Sequence, residues 1–345
     1  MQDELAQLGY LARLMIRLTI GAAGLPAETT DKHAAYILSR QRPDGGWSGR
    51  EGESDLYYTS FALRSLAILG LVDGDVALRS ANFLKSRLTT HETIVDLLSL
   101  VYTAKLISER PCQAQSTGRC HSNGLIRLGD LLAKLRRDDG GYSKSLEGQA
   151  SSTYQTFLVL LCLELIELPC PDPQATIAFL QKQRQSDGGY LEIRVAKRSG
   201  TNPTAAAIGA LRILQALDAP TIEAATDFIA DLQGDEGGLR ANTRIPVPDL
   251  LSTFTGLVTL ADLETVTEID RRAALAYVRS MEQPSGGFRG FEFDPADDIE
   301  YTFYGLGAMA LLNESLAVAD LAQTTSTTAD GKPVSQSPGD GEYDD

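Results

Sequence analysis

A glycine pair followed, about eleven residues on, by a small polar or acidic residue that opens an apolar helix recurs along the chain roughly every 48 residues. The pairs stand in QRPDGGW (Gly45, Gly46), RRDDGGY (Gly140, Gly141), QSDGGY (Gly188, Gly189), GDEGGL (Gly237, Gly238) and QPSGGF (Gly286, Gly287). A double-length interval separates the first two. It holds NFLKSRL and DLLSLVYTAKLI, the helical stretches of a unit without glycines, which brings the count to about six units. A repeat of this length means stacked supersecondary units that cover one another's apolar faces, so the series reads as one domain.

Each unit reads helix, glycine turn, helix. The first helix is amphipathic: Leu128, Leu131, Leu132 and Leu135 fall at i, i+3, i+4 and i+7, and Ala274, Leu275, Val278 and Met281 repeat the stripe. The second is apolar nearly all round, as in TYQTFLVLLCLELI and YTFYGLGAMALL, the pattern of a helix buried on both sides. A closed ring of outer and inner helices satisfies both patterns. In an open solenoid the terminal inner helix would show polar residues, and Tyr301 to Leu312 shows none. The expected fold is all-α, an α/α toroid (α6/α6 barrel) of about six helical hairpins. The glycines supply the positive φ at which a helix stops and reverses. Asp55, Ser152, Asn202, Asp249 and Asp298 are the expected N-caps of inner helices.

The expected limits are residues 1–29 for an N-terminal helix, 30–316 for the toroid and 317–345 for a disordered acidic tail, whose sequence has almost no apolar residues. A formal charge of -15 argues against nucleic acid and against polybasic attachment to an acidic membrane. No stretch reads as a transmembrane segment, and Asp3 and Glu4 stand where a signal peptide would be basic, so a cytoplasmic location is expected. Cys112, Cys120 and His121 lie together in one long loop, in a spacing that matches no zinc pattern. His33 and His91 suggest neither ligand nor base.

Parallel inner helices gather their N-termini at one mouth of the cavity, where free N–H groups and helix dipoles would favour an anion such as a diphosphate. Below the mouth the wall is expected to carry Tyr57, Tyr58, Phe61, Tyr154, Phe157, Phe254, Tyr301, Phe303 and Tyr304. Aromatic rings would bury an isoprenoid tail and could stabilise a developing allylic cation by up to about 2 kcal/mol each.

The unit QRPDGGW with the helix DLYYTSFALRSLAIL, the segment DKHAAYILSRQ, and GGL…PD followed by GGF…YTFYGLGAMALL resemble the prenyltransferase and squalene-cyclase repeat, most closely the β-subunits of Rab geranylgeranyltransferases. The resemblance implies a prenyltransferase that binds an isoprenoid diphosphate and works with a helical α-subunit-like partner. It also implies a catalytic zinc, held by an Asp and a Cys two residues apart and by a His one unit on. Asp249 matches the Asp, but Leu251 and Tyr301 stand where the Cys and His belong. One carboxylate and a phenol do not hold zinc. No metal ligand set is therefore expected and no resident cofactor, although a diphosphate substrate would admit magnesium.

Asp249, Asp298 and Tyr301 remain the catalytic candidates. Arg240 and Arg244, close to the family's diphosphate-binding basic residues, join Tyr57, Tyr58, Tyr154, Phe254 and Tyr304 as substrate-binding candidates. Two alternatives stay open. A non-catalytic toroid could bind a lipid or protein. A terpene cyclase would need an acid motif, and FDPADDIEY, with Asp294, Asp297, Asp298 and Glu300, has the acids without the DxDD spacing.

Overall fold

The computed structural model describes residues 8–87, 93–108 and 121–313, with the backbone alone for 121–127. The expected tail and Cys112, Cys120 and His91 lie outside the described residues, as does the side chain of His121.

Helix α1 (Tyr10–Ala23) precedes six pairs in which an outer helix is followed by an inner one. These are α2 (Ala27–Ser39) with α3 (Leu56–Ile68), α4 (Gly74–Ser86) with α5 (Ile94–Ser108), and α6 (His121–Lys134) with α7 (Thr153–Leu165). Then come α8 (Pro173–Gln183) with α9 (Thr201–Ile213), α10 (Ala219–Ala230) with α11 (Leu250–Asp262), and α12 (Arg271–Ser280) with α13 (299–313). The inner helices pack in sequence order, α3 on α5, α5 on α7, α7 on α9 and α9 on α11. Aromatic contacts continue the ring: Phe254 of α11 meets Phe303 of α13 at 5.4 Å, and Phe303 meets Phe61 of α3 at 5.5 Å. The ring is closed, and the fold is the α/α toroid.

The glycine pairs do more than turn the chain. The first glycine of each pair has φ between +86° and +93°, a region that only glycine enters without strain. It also lies against the backbone of the next outer helix: a methyl group on Gly45 would stand 2.2 Å from the Arg79 carbonyl oxygen of α4. The second glycine lies under an aromatic ring of that same helix, Gly46 under Phe83, Gly141 under Phe179, Gly189 under Phe228 and Gly238 under Tyr277. In the last unit the partner is the first outer helix, so Gly286 touches Lys32 and Gly287 touches Tyr36. The repeat is therefore a docking device between units, and its last copy closes the circle.

The turn itself is tied by the aspartate before the pair. Asp139 accepts from the Gly141 N–H at 3.1 Å and from the Ser151 hydroxyl at 2.6 Å; Asp187 does the same with Gly189 and Ser199. Further on, Tyr142, Tyr190 and Leu239 each donate a backbone N–H to a threonine hydroxyl of the following inner helix, at 3.0, 2.9 and 3.0 Å. These bonds satisfy buried polar groups that would otherwise cost about 1–3 kcal/mol each.

The closing seam carries most of the acids of FDPADDIEY. In α2 and the loop after it, Tyr36 donates its hydroxyl to Asp297 at 2.5 Å, Arg40 bonds Asp297 at 2.7 Å, and Arg50 reaches Asp294 at 2.5 Å and Asp298 at 3.2 Å. Asp298 also lies in a short antiparallel ribbon, β1 (Phe288–Arg289) with β2 (Asp297–Asp298). Three of the four acids are thus bound to α2 and the loop after it, and the fourth, Glu300, points into the ring, where Tyr57 of α3 donates to it.

Helix α1 lies across the C-terminal ends of the inner helices. Its Tyr10 N–H donates to Glu164 of α7 at 2.5 Å, its Tyr10 hydroxyl to Asp262 of α11 at 2.6 Å, and Gly21 abuts the Ala310 carbonyl of α13. Tyr10, Leu11, Leu14 and Met15 form the floor of the central cavity. Among the described residues no helix is long and apolar enough to cross a membrane.

Candidate functional site

The cavity encloses about 530 Å³ between the inner helices and the α1 floor. A simple register decides which side chains reach it. Counting from each N-cap, position +2 faces inward: Tyr57 after Asp55, Tyr154 after Ser152, Asn202 after Gly200, Leu251 after Asp249 and Glu300 after Asp298. Positions +5, +6 and +9 follow on the same helical face, which brings in Phe61, Arg64, Phe157, Phe254, Phe303 and Tyr304.

Of the expected substrate-binding residues, Tyr57, Tyr154, Phe254 and Tyr304 line the cavity. Tyr58 and Tyr301 stand at +3 and turn away: Tyr58 covers Gly49 at the rim, and Tyr301 covers Gly290 with the Arg50 guanidinium 5.8 Å from its ring. Arg240 and Arg244 are also outside. The Arg240 guanidinium donates to the Leu232 and Asp231 carbonyls at the end of α10, and Arg244 lies exposed in the loop that follows. Asp249 holds its own helix end, accepting from the Ser252 N–H at 2.7 Å and the Ser252 hydroxyl at 2.8 Å, and burial pushes its carboxyl up. Asp298 accepts from the Tyr301 N–H at 2.9 Å, and there too burial raises the proton affinity while Arg50 opposes it. The three catalytic candidates thus sit on the rim, each with a structural partner.

Sequence reasoning missed the polar residues inside. Glu300 accepts hydrogen bonds from the Tyr57 hydroxyl at 2.7 Å and the Tyr304 hydroxyl at 2.9 Å. Burial pushes its carboxyl up, the two phenols working against it. Glu192, from the loop before α9, accepts from Ser152 and is likewise raised by burial. Arg64 lies over Phe61 at 4.2 Å and over Phe303 at 5.0 Å. The +2 and +9 positions would have found Glu300 and Arg64.

The mouth differs from the expected ring of free helix N–H groups. Asp55, Ser152, Asp249 and Asp298 already accept at four helix N-termini. Gly200, not Asn202, caps α9, and the first N–H of that helix donates to the Ala241 carbonyl of the next unit at 2.9 Å. Thr153 and Leu250 make the same link, to the Glu192 and Gly290 carbonyls, both at 2.8 Å. The mouth is lined with carboxylates rather than with donors.

The donor set for zinc does not fit. Asp249 is committed to Ser252, Leu251 presents an alkyl chain to the cavity, and Tyr301 turns outward. Among the described residues no three His, Cys, Asp or Glu side chains gather to hold a metal ion.

The family described as the prenyltransferase alpha-alpha toroid domain matches residues 8–87, 115–245 and 208–331. The chain belongs to that family. No curated protein shows significant sequence similarity to it. Among solved structures, Candida albicans protein geranylgeranyltransferase-I complexed with GGPP superposes with a TM-score of 0.63 at 14% identity, covering 83% of this chain and 92% of that one. The type II terpene cyclase MstE from Scytonema gives 0.59 at 15% identity, covering 88% and 99%. The GH76A alpha-1,6-mannanase from Salegentibacter sp. HEL1_6 gives 0.55 at 11%, covering 84% and 98%. At these identities the likeness is one of fold, and it spans transferase, cyclase and glycosidase chemistry.

Proposed function

We propose that the toroid binds the prenyl chain of an isoprenoid in its central cavity and processes it without zinc, as a prenyltransferase-like protein. The observation that carries this reading is the wall itself. Tyr10, Phe61, Phe157, Phe254, Phe303 and Tyr304 pack around one space of about 530 Å³, within the roughly 300–1,000 Å³ usual for small-ligand pockets. Aromatic faces suit a branched polyene and any allylic cation formed from it. The geranylgeranyltransferase relative is complexed with GGPP, and the Scytonema cyclase is known with geranylgeranyl dihydroxybenzoate, so a geranylgeranyl chain is the first ligand to try.

A diphosphate head at this mouth would face Asp249, Asp298 and Glu300, while Arg50 is already paired with Asp294 and Asp298. It would bind as its magnesium complex, the cation offsetting the repulsion. The test is calorimetric titration with geranylgeranyl and farnesyl diphosphate, with and without magnesium, on wild type and Phe254→Ala. Binding that weakens in Phe254→Ala supports the reading. Absence of binding by either ligand under both conditions overturns it.

One observation favours a second reading, a terpene cyclase. Glu300 places a carboxyl of raised proton affinity among the aromatic rings, where it could act as a proton donor. The relative MstE is covered over 99% of its chain by this single toroid, so one domain is no argument against cyclisation. Glu300→Gln would then keep ligand binding and lose turnover. A non-catalytic carrier would show binding with no turnover in either protein.

A further inference from the structure

Resting on the prenyl-binding reading of the cavity, we propose that Arg64 and Ser60 form an anion-recognition site inside the cavity, and that it takes a single carboxylate carried by the apolar ligand. The two residues are one turn apart on α3, at +5 and +9 from the Asp55 cap, and both line the cavity. The Arg64 Nε donates to the Ser60 carbonyl at 3.3 Å. Its remaining guanidinium N–H groups make no hydrogen bond among the described residues, and Glu300 attracts it without coming within ion-pair distance. Ser60 is 1% exposed and its hydroxyl has no hydrogen-bond partner among the described residues.

Each of these facts alone has a structural explanation, since arginine stacks readily on aromatic faces. Together they do not. A buried hydroxyl without a partner and a half-buried guanidinium that has free N–H groups and feels Glu300 only beyond ion-pair distance both leave polar capacity unused, and both are satisfied by one ligand anion seated between them. A guanidinium fork matches a carboxylate bidentately, and the serine adds a neutral donor beside it.

Charge decides between a carboxylate and a phosphate ester. The cavity offers one guanidinium, already attracted by Glu300, with Glu192 also in the wall. A diphosphate brings several negative charges and would leave most of them unmatched in a space of low dielectric. A carboxylate brings one. The ligand class is therefore an isoprenoid that carries a carboxylate, with its anionic group held against α3 and its chain among the aromatic rings.

The test compares three ligands that share one chain: geranylgeranoic acid, geranylgeraniol and geranylgeranyl diphosphate, titrated at neutral pH without magnesium. Wild type is expected to prefer the acid over the alcohol by about tenfold or more. Arg64→Met should abolish that preference while leaving the affinity for the alcohol within about twofold, Arg64→Lys should restore part of it, and Ser60→Ala should reduce it less. An unchanged melting temperature for Arg64→Met excludes a folding defect. Equal affinities of acid and alcohol, or a preference that survives Arg64→Met, overturn the proposal with the prenyl reading intact. Diphosphate binding tighter than the acid through Arg64 overturns the choice of carboxylate. If none of the three binds, the proposal falls, and if geranylgeranyl diphosphate fails with magnesium as well, the prenyl reading falls with it.

Discussion

His33 and Glu282 join the first unit to the last, with Nε2 of the histidine 2.9 Å from Oε1 of the glutamate. The imidazole is fully buried and stacked on Phe288 at 4.6 Å. Its other nitrogen, Nδ1, accepts from the Gly287 N–H at 3.0 Å, so the single proton sits on Nε2 and is donated to Glu282. The ring is neutral, and it holds the glycine pair that completes the circle.

The seam is therefore sensitive to acid. Burial lowers the His33 pKa to about 4, against the pull of Glu282. The unfolded histidine takes up its proton near pH 6.5 while the folded one does not, so the contribution to stability is complete above about pH 6.5 and is lost as pH falls toward 4. By then about 3 kcal/mol is gone. Glu282, despite burial that pushes it up, is held below its usual range by Lys32 and His33, so its own loss begins at lower pH. Urea unfolding between pH 7 and 4.5 should show a steeper decline for wild type than for His33→Gln, which keeps a neutral donor. Parallel declines would mean that the folded histidine takes up its proton over the same range as the unfolded one, with no depression by burial.

The two uses of glycine in the repeat can be separated. Gly52 and Gly45 share φ +91°, but a methyl group on Gly52 would meet nothing within 4 Å, whereas one on Gly45 would strike the Arg79 carbonyl. Gly52→Ala should cost only the backbone strain, about 1–2 kcal/mol. Gly45→Ala should cost that and about 1–3 kcal/mol more, because α4 must move outward. Equal losses in denaturant midpoint, at unchanged m, would remove the docking role assigned to the first glycine.

The ring of hairpins was legible because its signals are local and periodic: a glycine pair, an amphipathic helix, an apolar helix. The partners of those glycines were harder to see, since Phe83, Phe179, Phe228 and Tyr277 lie a whole outer helix downstream. The site was legible only as far as its register. Tyr57 and Tyr58 look alike in sequence, as do Glu300 and Tyr301 as candidates, and one step of about 100° around a helix sends one of each pair inward and the other to the rim. Taking Asn202 for the cap of α9 shifts that register by two, because Gly200 leaves no side-chain signal. The acids of FDPADDIEY could not be assigned from the sequence at all: their partners Tyr36, Arg40 and Arg50 are over 240 residues away, and only ring closure brings them together.

Three inner helices end on residues that the backbone does not favour. Glu167, Gln215 and Glu264 adopt φ of 58°, 54° and 62°, where Gly70 occupies the equivalent turn after α3. In each, the next N–H reaches back to the helix, as Thr265 does to the Leu260 carbonyl at 2.8 Å, the closure that glycine makes most readily. Glu264→Gly and Gln215→Gly should each stabilise the fold by up to about 1 kcal/mol, the relief of left-handed strain exceeding the added chain entropy. Thermal unfolding of the single and double variants would show rising, roughly additive midpoints. A fall in either would mean that the side chain makes a contact worth more than the strain.

Glu300 gives a pH dependence of the opposite sign. Burial raises its proton affinity, and Tyr57 and Tyr304 oppose this by donating to the carboxylate. Its folded pKa stands above the unfolded value, so the group favours the fold in acid and that contribution is lost as pH rises through the folded pKa. Glu300→Gln keeps an oxygen for one of the two phenols and carries no charge. At about pH 8 the variant should match or exceed wild type by up to about 1 kcal/mol, and at about pH 4 the two should converge. Tyr57→Phe removes a donor, leaves the carboxylate less satisfied, and should destabilise by about 1–2 kcal/mol, more at pH 8 than at pH 4. Melting temperatures of the three proteins across that range test both statements. A constant offset between Glu300→Gln and wild type would show that this carboxyl titrates as an ordinary exposed one, and Glu300 would then lose its claim as a proton donor in the cavity.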